Sequence, residues 1–268
     1  MPLGYPARVP KVALDTATST AFYDELASYY DLIFADWGAS MERQGETIAR
    51  LLTSYLPELA SPMRVLDAAA GIGTQSIPLA QRGFQVLSRD HSSGAIARLQ
   101  REAVARGLSI DAACADMRTV SQTVSQPVDA VIAFDNAVPH LLTDDDLLVA
   151  FQSFYESLRP GGVCALSVRD YDQVERGADI VHPYGVRWRD GIRHLPLQVW
   201  HWVSPTHYEI TFYLIVDEQP IPRVRCATTS YYAVPTSRLL ALLAEAGFSE
   251  CQRLDDTIYQ PIIVARRP

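Results

Sequence analysis

Residues 65–79, VLDAAAGIGTQSIPL, decide the fold. A short apolar run ends in an acid, passes through small residues and a Gly-x-Gly, and continues into a stretch with helical spacing. An apolar run of that length, closed by glycines, reads as a buried strand followed by the helix of a strand–turn–helix unit. Glycines leave the backbone bare at the turn. That suits a phosphate, another nucleotide-like ligand, or simply a tight bend.

The same alternation repeats outward from this unit. Strands are expected at residues 64–69, 84–88, 109–114, 127–136 and 163–168. Helices are expected at 74–81 and 92–105, and from Thr143, a candidate N-cap, to Pro160-Gly161. Strand-helix units of this length imply an α/β, Rossmann-like, doubly wound and mostly parallel sheet. Two β-like runs near the C-terminus, SECQRLDD and QPIIVARR, bring it to seven strands, after a helix in TSRLLALLAEAGF. Before the first strand, AFYDELASYYDLIF places Phe22, Leu26, Tyr29, Tyr30 and Ile33 at helical spacing, and a second helix covers residues 40–56. After Asp172 the pattern turns β-rich and aromatic in LQVWHWVS, HYEITFYLIVDE and RVRCATTSYYAV, which reads as an antiparallel insert. The expected organisation is an N-terminal arm and helical lid at 1–60, a Rossmann-like domain at 61–172 and 228–268, and the insert, on the substrate side, at 173–227. Residues 1–20, with three prolines before position 11, read as an arm that is mobile or held by a partner. TVSQTVSQP (119–127) reads as a surface loop.

Composition narrows the class. The chain has 268 residues, 48% hydrophobic and 20% charged, which is ordinary for a globule with one substantial core. It has no apolar run long enough to span a bilayer, and its first twenty residues lack a signal-peptide pattern, so a cytoplasmic protein without a membrane partner is expected. Four scattered cysteines without a C-x-x-C pair argue against a disulfide framework and a zinc site. A formal charge of −8 argues against a nucleic-acid partner, because a phosphate backbone needs a basic surface. Homo-oligomerisation stays open.

Ligands of open α/β sheets sit at the carboxyl ends of the strands. Four such ends carry chemistry: Asp67 with Gly71-Ile72-Gly73, then Asp90, then Asp116-Met117, then Asp135-Asn136. Asp90 follows the glycines by about 20 residues, the spacing of a carboxylate that grips a ribose diol. No Lys-Ser/Thr follows the glycines, which excludes a P-loop. The third glycine of a dinucleotide fingerprint is replaced by Ser76, and the acid ahead of the loop would repel a pyrophosphate. The same acid would attract an ammonium or a sulfonium. That points to S-adenosylmethionine.

VLDAAAGIGTQSIPLAQRGFQV, SRDHSSGAI, CADMR, LRPGG and LLALLAEAGF resemble the successive motifs of class I S-adenosylmethionine-dependent methyltransferases, from about Val65 to the C-terminus. The likeness departs at Ala69-Ala70, where Gly-Cys is usual, and implies a slightly wider turn with binding kept. FYDELASYYDLIF, MERQ, FDNAVPHL, VRDYD and TTSYYAV add a narrower resemblance to the glycine and sarcosine N-methyltransferases and their bacterial relatives. That likeness implies Arg43 on the cofactor's methionyl carboxylate, Asp90 on its ribose, and Asp116 and Met117 on adenine. Asp67, Ala69, Gly71, Gly73, His91 and Asp135 complete the implied cofactor site. Asn136 and Arg169 would contact the substrate, and Tyr23, Tyr30 and Tyr232 would line its pocket. The insert matches poorly, which leaves the acceptor open.

Methyl transfer from a sulfonium is an in-line displacement that needs a lone pair about 3 Å from the methyl carbon. The sulfonium charge vanishes on the way, so polar, nearly neutral surroundings serve best, and Asn136 with tyrosine hydroxyls would provide them. An amine acceptor needs no dedicated base; a hydroxyl acceptor does, and His140 is the nearest candidate. Plainer readings compete. Arg169 could pair with Asp170 or Asp172, His140 could hold its loop, and Tyr29 and Tyr30 could be helix packing. Trp188, Trp200 and Trp202 read first as insert core. Asp144 to Asp146 suit the first turn of a helix, and His194, His201 and His207 have no metal-ligand spacing. The resulting expectation is transfer of methyl from S-adenosylmethionine to a small molecule at the nitrogen of an amine or amino acid, with Arg169 as carboxylate anchor and no metal. Its rivals are O- or C-methylation of a larger secondary metabolite and a non-catalytic adenosylmethionine-binding module.

Overall fold

A computed structural model describes residues 17–57 and 62–268, so the expected arm lies outside the described residues as far as residue 16. Two helices, α1 (Ala17–Leu26) and α2 (Trp37–Tyr55), precede the first strand. There follow β1 (Arg64–Asp67), α3 (Ser76–Gln81), β2 (Gln85–Asp90), α4 (Ser93–Ala105), β3 (Asp111–Cys114), β4 (Val128–Ala133), α5 (Asp144–Ser157) and β5 (Leu158–Ser167). The chain then builds β6 (Ile180–Pro183), β7 (Arg187–Arg189), β8 (Ile192–Trp202), β9 (His207–Asp217) and β10 (Arg223–Tyr232), and closes with α6 (Thr236–Glu245), β11 (Ser249–Leu254) and β12 (Ile262–Arg266).

The main sheet has the order β11-β12-β5-β4-β1-β2-β3, with β12 alone antiparallel to its neighbours. It is the doubly wound, mostly parallel seven-stranded sheet that the alternation implied. Strand periodicity builds its two cores. On β4, Val131 and Ala133 pack with Phe151 and Leu239 on one face, while Ala130 and Ile132 pack with Ile48 and Leu79 on the other. The strand order reverses at β1, which lies between β4 and β2, and a cleft opens there beyond the strand ends. Thr143 caps α5 as expected, its hydroxyl accepting from Asp146 N, and Ser92, expected inside its helix, caps α4 by accepting from Ala95 N.

The second sheet has the order β10-β9-β8-β6, with β7 on β8, all antiparallel. Its inner face buries Phe212, Leu214 and Val216 against Phe22 and Leu26 of α1, and Trp200, Tyr208, Ile210 and Tyr231 against Tyr171. Helix α1 therefore sits between this sheet and α4.

Five local expectations change. The apolar spacing of residues 21–34 does not give one helix: α1 stops at Leu26, and i→i+3 bonds (Tyr29 N to Leu26 O, Leu32 N to Tyr29 O) tighten the chain into a 3₁₀ turn at Tyr30–Ile33. TVSQTVSQP is not all surface loop, because 3₁₀ turns over Met117–Thr123 bury Val120 in the core. Helix α5 ends at Ser157, and Pro160-Gly161 lies in the irregular start of β5, where pairing with β4 skips register. Trp188, expected in the insert core, is exposed because its strand turns it to the outer face; Trp200 is buried. The second sheet also continues through Tyr232, so residue 227 falls inside β10.

Candidate active site

A cavity of about 270 Å³ opens at the carboxyl ends of β1 to β4. Its floor is the loop after β1, and Gly71 and Gly73 shape that loop with φ of +51° and +97°. Side chains rarely adopt such angles. A Cβ on Gly73 would stand 2.7 Å from Ile77 Cδ1, so this glycine lets the following helix close on the loop. A Cβ on Gly71 would meet nothing within 4 Å: the bare backbone there faces open space. Ala68, Ala69 and Ala70 line the same floor.

Asp90, ending β2, fixes this loop. Its carboxylate accepts from Gly71 N at 2.8 Å and from Ser92 N at 2.9 Å, and it also lines the cavity. Asp67 lies beneath the loop and outside the lining. It is fully buried and accepts from the Ser76 hydroxyl at 2.7 Å, which in turn accepts from Ser88. Burial pushes the Asp67 carboxyl up to about 7, against the lowering pull of the Ser76 bond. Burial also raises the Asp90 and Asp135 carboxyls, even though Gln75 Nε2 at 2.9 Å and the Tyr259 hydroxyl donate to Asp135. Asp116 behaves otherwise: burial raises it, but Arg118, 2.7 Å away, more than offsets this and holds it low. Asp116 and Met117 line the wall after β3.

The N-terminal segment closes the cavity from above. Ser19, Thr20, Tyr23, Ala27 and Tyr30 all line it. Asp24 fastens α1 to the start of α4, accepting from Ser92 Oγ at 2.6 Å and Gly94 N at 2.8 Å. His91 bonds Ser19 Oγ at 3.1 Å. Tyr23 bonds His140 Nε2 at 2.9 Å and stands 3.3 Å from the Tyr231 hydroxyl. Burial drives His140 down to about 3, so its ring stays neutral at physiological pH, and the Ser230 backbone takes one ring hydrogen bond. That leaves Nε2 as the acceptor for Tyr23.

The expected substrate residues divide. Tyr23, Tyr30 and His140 come together in the cavity; Asn136, Arg169 and Tyr232 lie outside its lining. Asn136, in the left-handed region at φ +64°, is buried and uses its amide to bind Tyr171 at 2.8 Å and to accept from Arg169 N at 2.9 Å. It shapes the strand end from behind. Tyr232 bonds Asp144 at 2.9 Å and stacks on His207, because strand alternation turns it from the face that Tyr231 occupies. Arg169 does not pair with Asp170, which binds Arg253 at 2.6 Å. Its guanidinium lies 4.7 Å from the Trp200 ring and 5.6 Å from Tyr231, and donates to the Tyr208 hydroxyl at 3.1 Å. Among the described residues it forms no ion pair. Arg43 is exposed on α2 and outside the lining, whereas Gln44, one step around the helix, is buried and bonds Gln75 at 2.8 Å.

Sequence reasoning missed Tyr231, Tyr208 and Tyr171, which form the box around Arg169, and Gln75, which bridges Gln44 and Asp135. For Tyr208 the signal was the aromatic density of the insert; Tyr171, Tyr231 and Gln75 lie within VRDYD, TTSYYAV and VLDAAAGIGTQSIPL, where no local feature sets them apart. The donor set suits S-adenosylmethionine: a bare glycine faces open space, one carboxylate stands at the end of β2, and three buried acids (Asp67, Asp90 and Asp135) form no ion pair with a lysine or arginine among the described residues.

Residues 65–162 match the methyltransferase domain family. The chain is 34% identical over 146 residues to a glycine/sarcosine N-methyltransferase of Parasynechococcus marenigrum, covering 54% of this chain and 50% of the relative. It is 31% identical over 155 residues to a glycine/sarcosine N-methyltransferase of Halorhodospira halochloris, covering 58% and 55%. The chain thus spans about half the length of the curated relatives it matches. The crystal structure of the sugar N-methyltransferase KedS8 from Streptoalloteichus superposes with a TM-score of 0.73 at 18% identity, covering 100% of this chain and 98% of that one. Streptomyces venezuelae DesVI gives 0.71 at 20%, covering 95% and 99%. At these identities the likeness is one of fold.

Proposed function

We propose that this chain, which carries a class I methyltransferase domain, moves the methyl group of S-adenosylmethionine onto the nitrogen of a small amine that also bears a carboxylate. The observation behind the reading is a complementary set of buried ionisable groups. Three buried acids surround the cofactor loop, none in an ion pair with a lysine or arginine among the described residues, and the Arg169 guanidinium, which forms no ion pair among them, sits behind Tyr231. Burial holds the three carboxyls toward their neutral forms, and a bound cation would favour the charged ones. A cationic donor and an anionic acceptor would satisfy both. The glycine/sarcosine relatives, named for amino-acid acceptors, support the same choice.

Bound there, the cofactor supplies an electrophilic methyl group on a sulfonium. Asp90 accepts from the ribose hydroxyls, and Asp116 and Met117 flank the adenine. Tyr23 and Tyr30 supply neutral dipoles beside the reacting atoms, where a full negative charge would favour the starting sulfonium. His140 accepts a hydrogen bond from the Tyr23 hydroxyl and so turns the Tyr23 lone pairs toward the ligand. Arg169 anchors the acceptor's carboxylate, as a guanidinium in an aromatic box does well.

The reading is tested by incubating the protein with methyl-labelled adenosylmethionine and a panel of glycine, sarcosine, other amines and phenols. Label is expected in amines that bear a carboxylate; label in phenols alone would reverse it in favour of O-methylation. A pH dependence also follows. A bound cation favours the ionised form of Asp67, so adenosylmethionine affinity is expected to rise several-fold from about pH 6 to about pH 8, across the Asp67 value of about 7. Its demethylated product lacks the positive charge and should change less, and Asp67→Asn should flatten the difference. Calorimetric titration at each pH measures it; equal slopes for the two ligands would contradict the role of Asp67.

A further inference from the structure

On the inner face of the second sheet, the Trp200 ring carries two different groups. The Arg169 guanidinium lies 4.7 Å from it, and the His182 imidazole of β6 packs on it at 4.2 Å. His182 Nε2 is buried and has no hydrogen-bond partner among the described residues. Burial lowers this imidazole, and the Arg169 charge lowers it further, so the ring is neutral at physiological pH and can both donate and accept. Gln198 stands directly opposite His182 in the β6–β8 register and is only 7% exposed. Its Oε1 accepts from Trp200 Nε1 at 2.9 Å, while its amide nitrogen has no partner among the described residues. Buried polar groups in folded proteins are nearly always hydrogen-bonded. Two unused ones side by side, sharing an indole with a guanidinium that forms no ion pair, mark a place for a ligand. The place adjoins the cofactor cavity: Tyr184, two residues beyond His182 on the same face, packs in one cluster with Tyr30, which lines that cavity.

We infer that His182 and Gln198 recognise the side chain of the methyl acceptor, which is an amino acid with a short hydroxyl- or amide-bearing side chain. The inference rests on the reading of Arg169 as the carboxylate anchor. With the carboxylate on Arg169, the rest of the acceptor lies along the Trp200 ring, and its far end meets His182 and Gln198. An amide and a neutral imidazole each offer a donor and an acceptor, which matches a hydroxyl or an amide. A second carboxylate would need a cation at that end, and an apolar side chain would leave both groups unpaired. A site built to hydrogen-bond a polar group rejects the analogue that lacks it, because its own buried groups then go unsatisfied.

The test compares glycine, alanine, serine and asparagine as acceptors with methyl-labelled adenosylmethionine. The unaltered protein is expected to use serine or asparagine with a kcat/KM roughly tenfold or more above that for alanine. His182→Phe keeps a ring on Trp200 and should cut this ratio to about threefold or less without changing cofactor affinity. His182→Gln keeps a donor and an acceptor and should retain part of it. Equal kcat/KM for alanine, serine and asparagine overturns the inference, and so does a ratio that His182→Phe leaves unchanged. If circular dichroism shows that His182→Phe does not fold, the ratio in the unaltered protein decides. Methylation of glycine and alanine as readily as serine overturns this inference alone; methylation of no amino acid overturns the carboxylate-anchor reading together with it.

Discussion

Asp90→Ala is expected to weaken adenosylmethionine binding by roughly 100-fold, since one carboxylate accepting from two ribose hydroxyls accounts for about 3 kcal/mol. Two effects add. The variant loses the acceptor for the sugar, and it frees Gly71 N and Ser92 N, which Asp90 now holds at 2.8 and 2.9 Å. The floor of the cavity would loosen along with its grip. The demethylated product shares the ribose, so its affinity should fall by a similar factor. That separates the Asp90 effect from the Asp67 effect, which follows the sulfonium charge. Calorimetric titration of both ligands is the measurement, with thermal unfolding as the check on the loop. Affinities within about threefold of the unaltered protein would remove Asp90 from the site.

Arg169→Met should leave cofactor affinity unchanged and raise the KM of a carboxylate-bearing acceptor by roughly 10–100-fold, the loss of a charge-assisted pair of hydrogen bonds. Methionine keeps much of the volume between Trp200 and Tyr231, which limits the effect on packing. Arg169→Lys should not rescue it fully, because a lysine lacks the planar fork. The sharper readout is a ratio. The unaltered protein should prefer an amino acid to its amide, and Arg169→Met should abolish that preference. An unchanged ratio would leave the guanidinium as part of the sheet-to-sheet packing alone. In that case the methyltransferase reading stands and the acceptor class changes.

The elements around the cofactor loop were legible because their signals are local. Apolar runs and glycines place β1, α3, β2 and α4 within a few residues, and the acids at the strand ends follow from the same alternation. Where local periodicity was the only guide, tertiary contacts overruled it. Helical spacing runs on past Leu26, but Asp31 is held by Arg98 at 2.7 Å and by Arg189, and the chain tightens into a 3₁₀ turn. The duplication at 119–127 looks polar enough for a loop, yet it carries Val120 into the core.

The acceptor side was less legible for a physical reason. Tyr231 and Tyr232 are neighbours in sequence, and only the register of β10 on β9 decides that Tyr231 meets Tyr208 and faces His140 while Tyr232 turns to Asp144. Arg43 and Gln44 differ by one step on α2, and only the packing of that helix on the main sheet turns the glutamine inward. The amino-acid sequence by itself determined the doubly wound fold, the bare loop and the acids around it, since each depends on residues close together in the chain. The tertiary structure alone decided the tyrosine box of Arg169 and the pairing of Tyr23 with His140. Each of these joins segments far apart in sequence, through strand registers that local pattern does not encode.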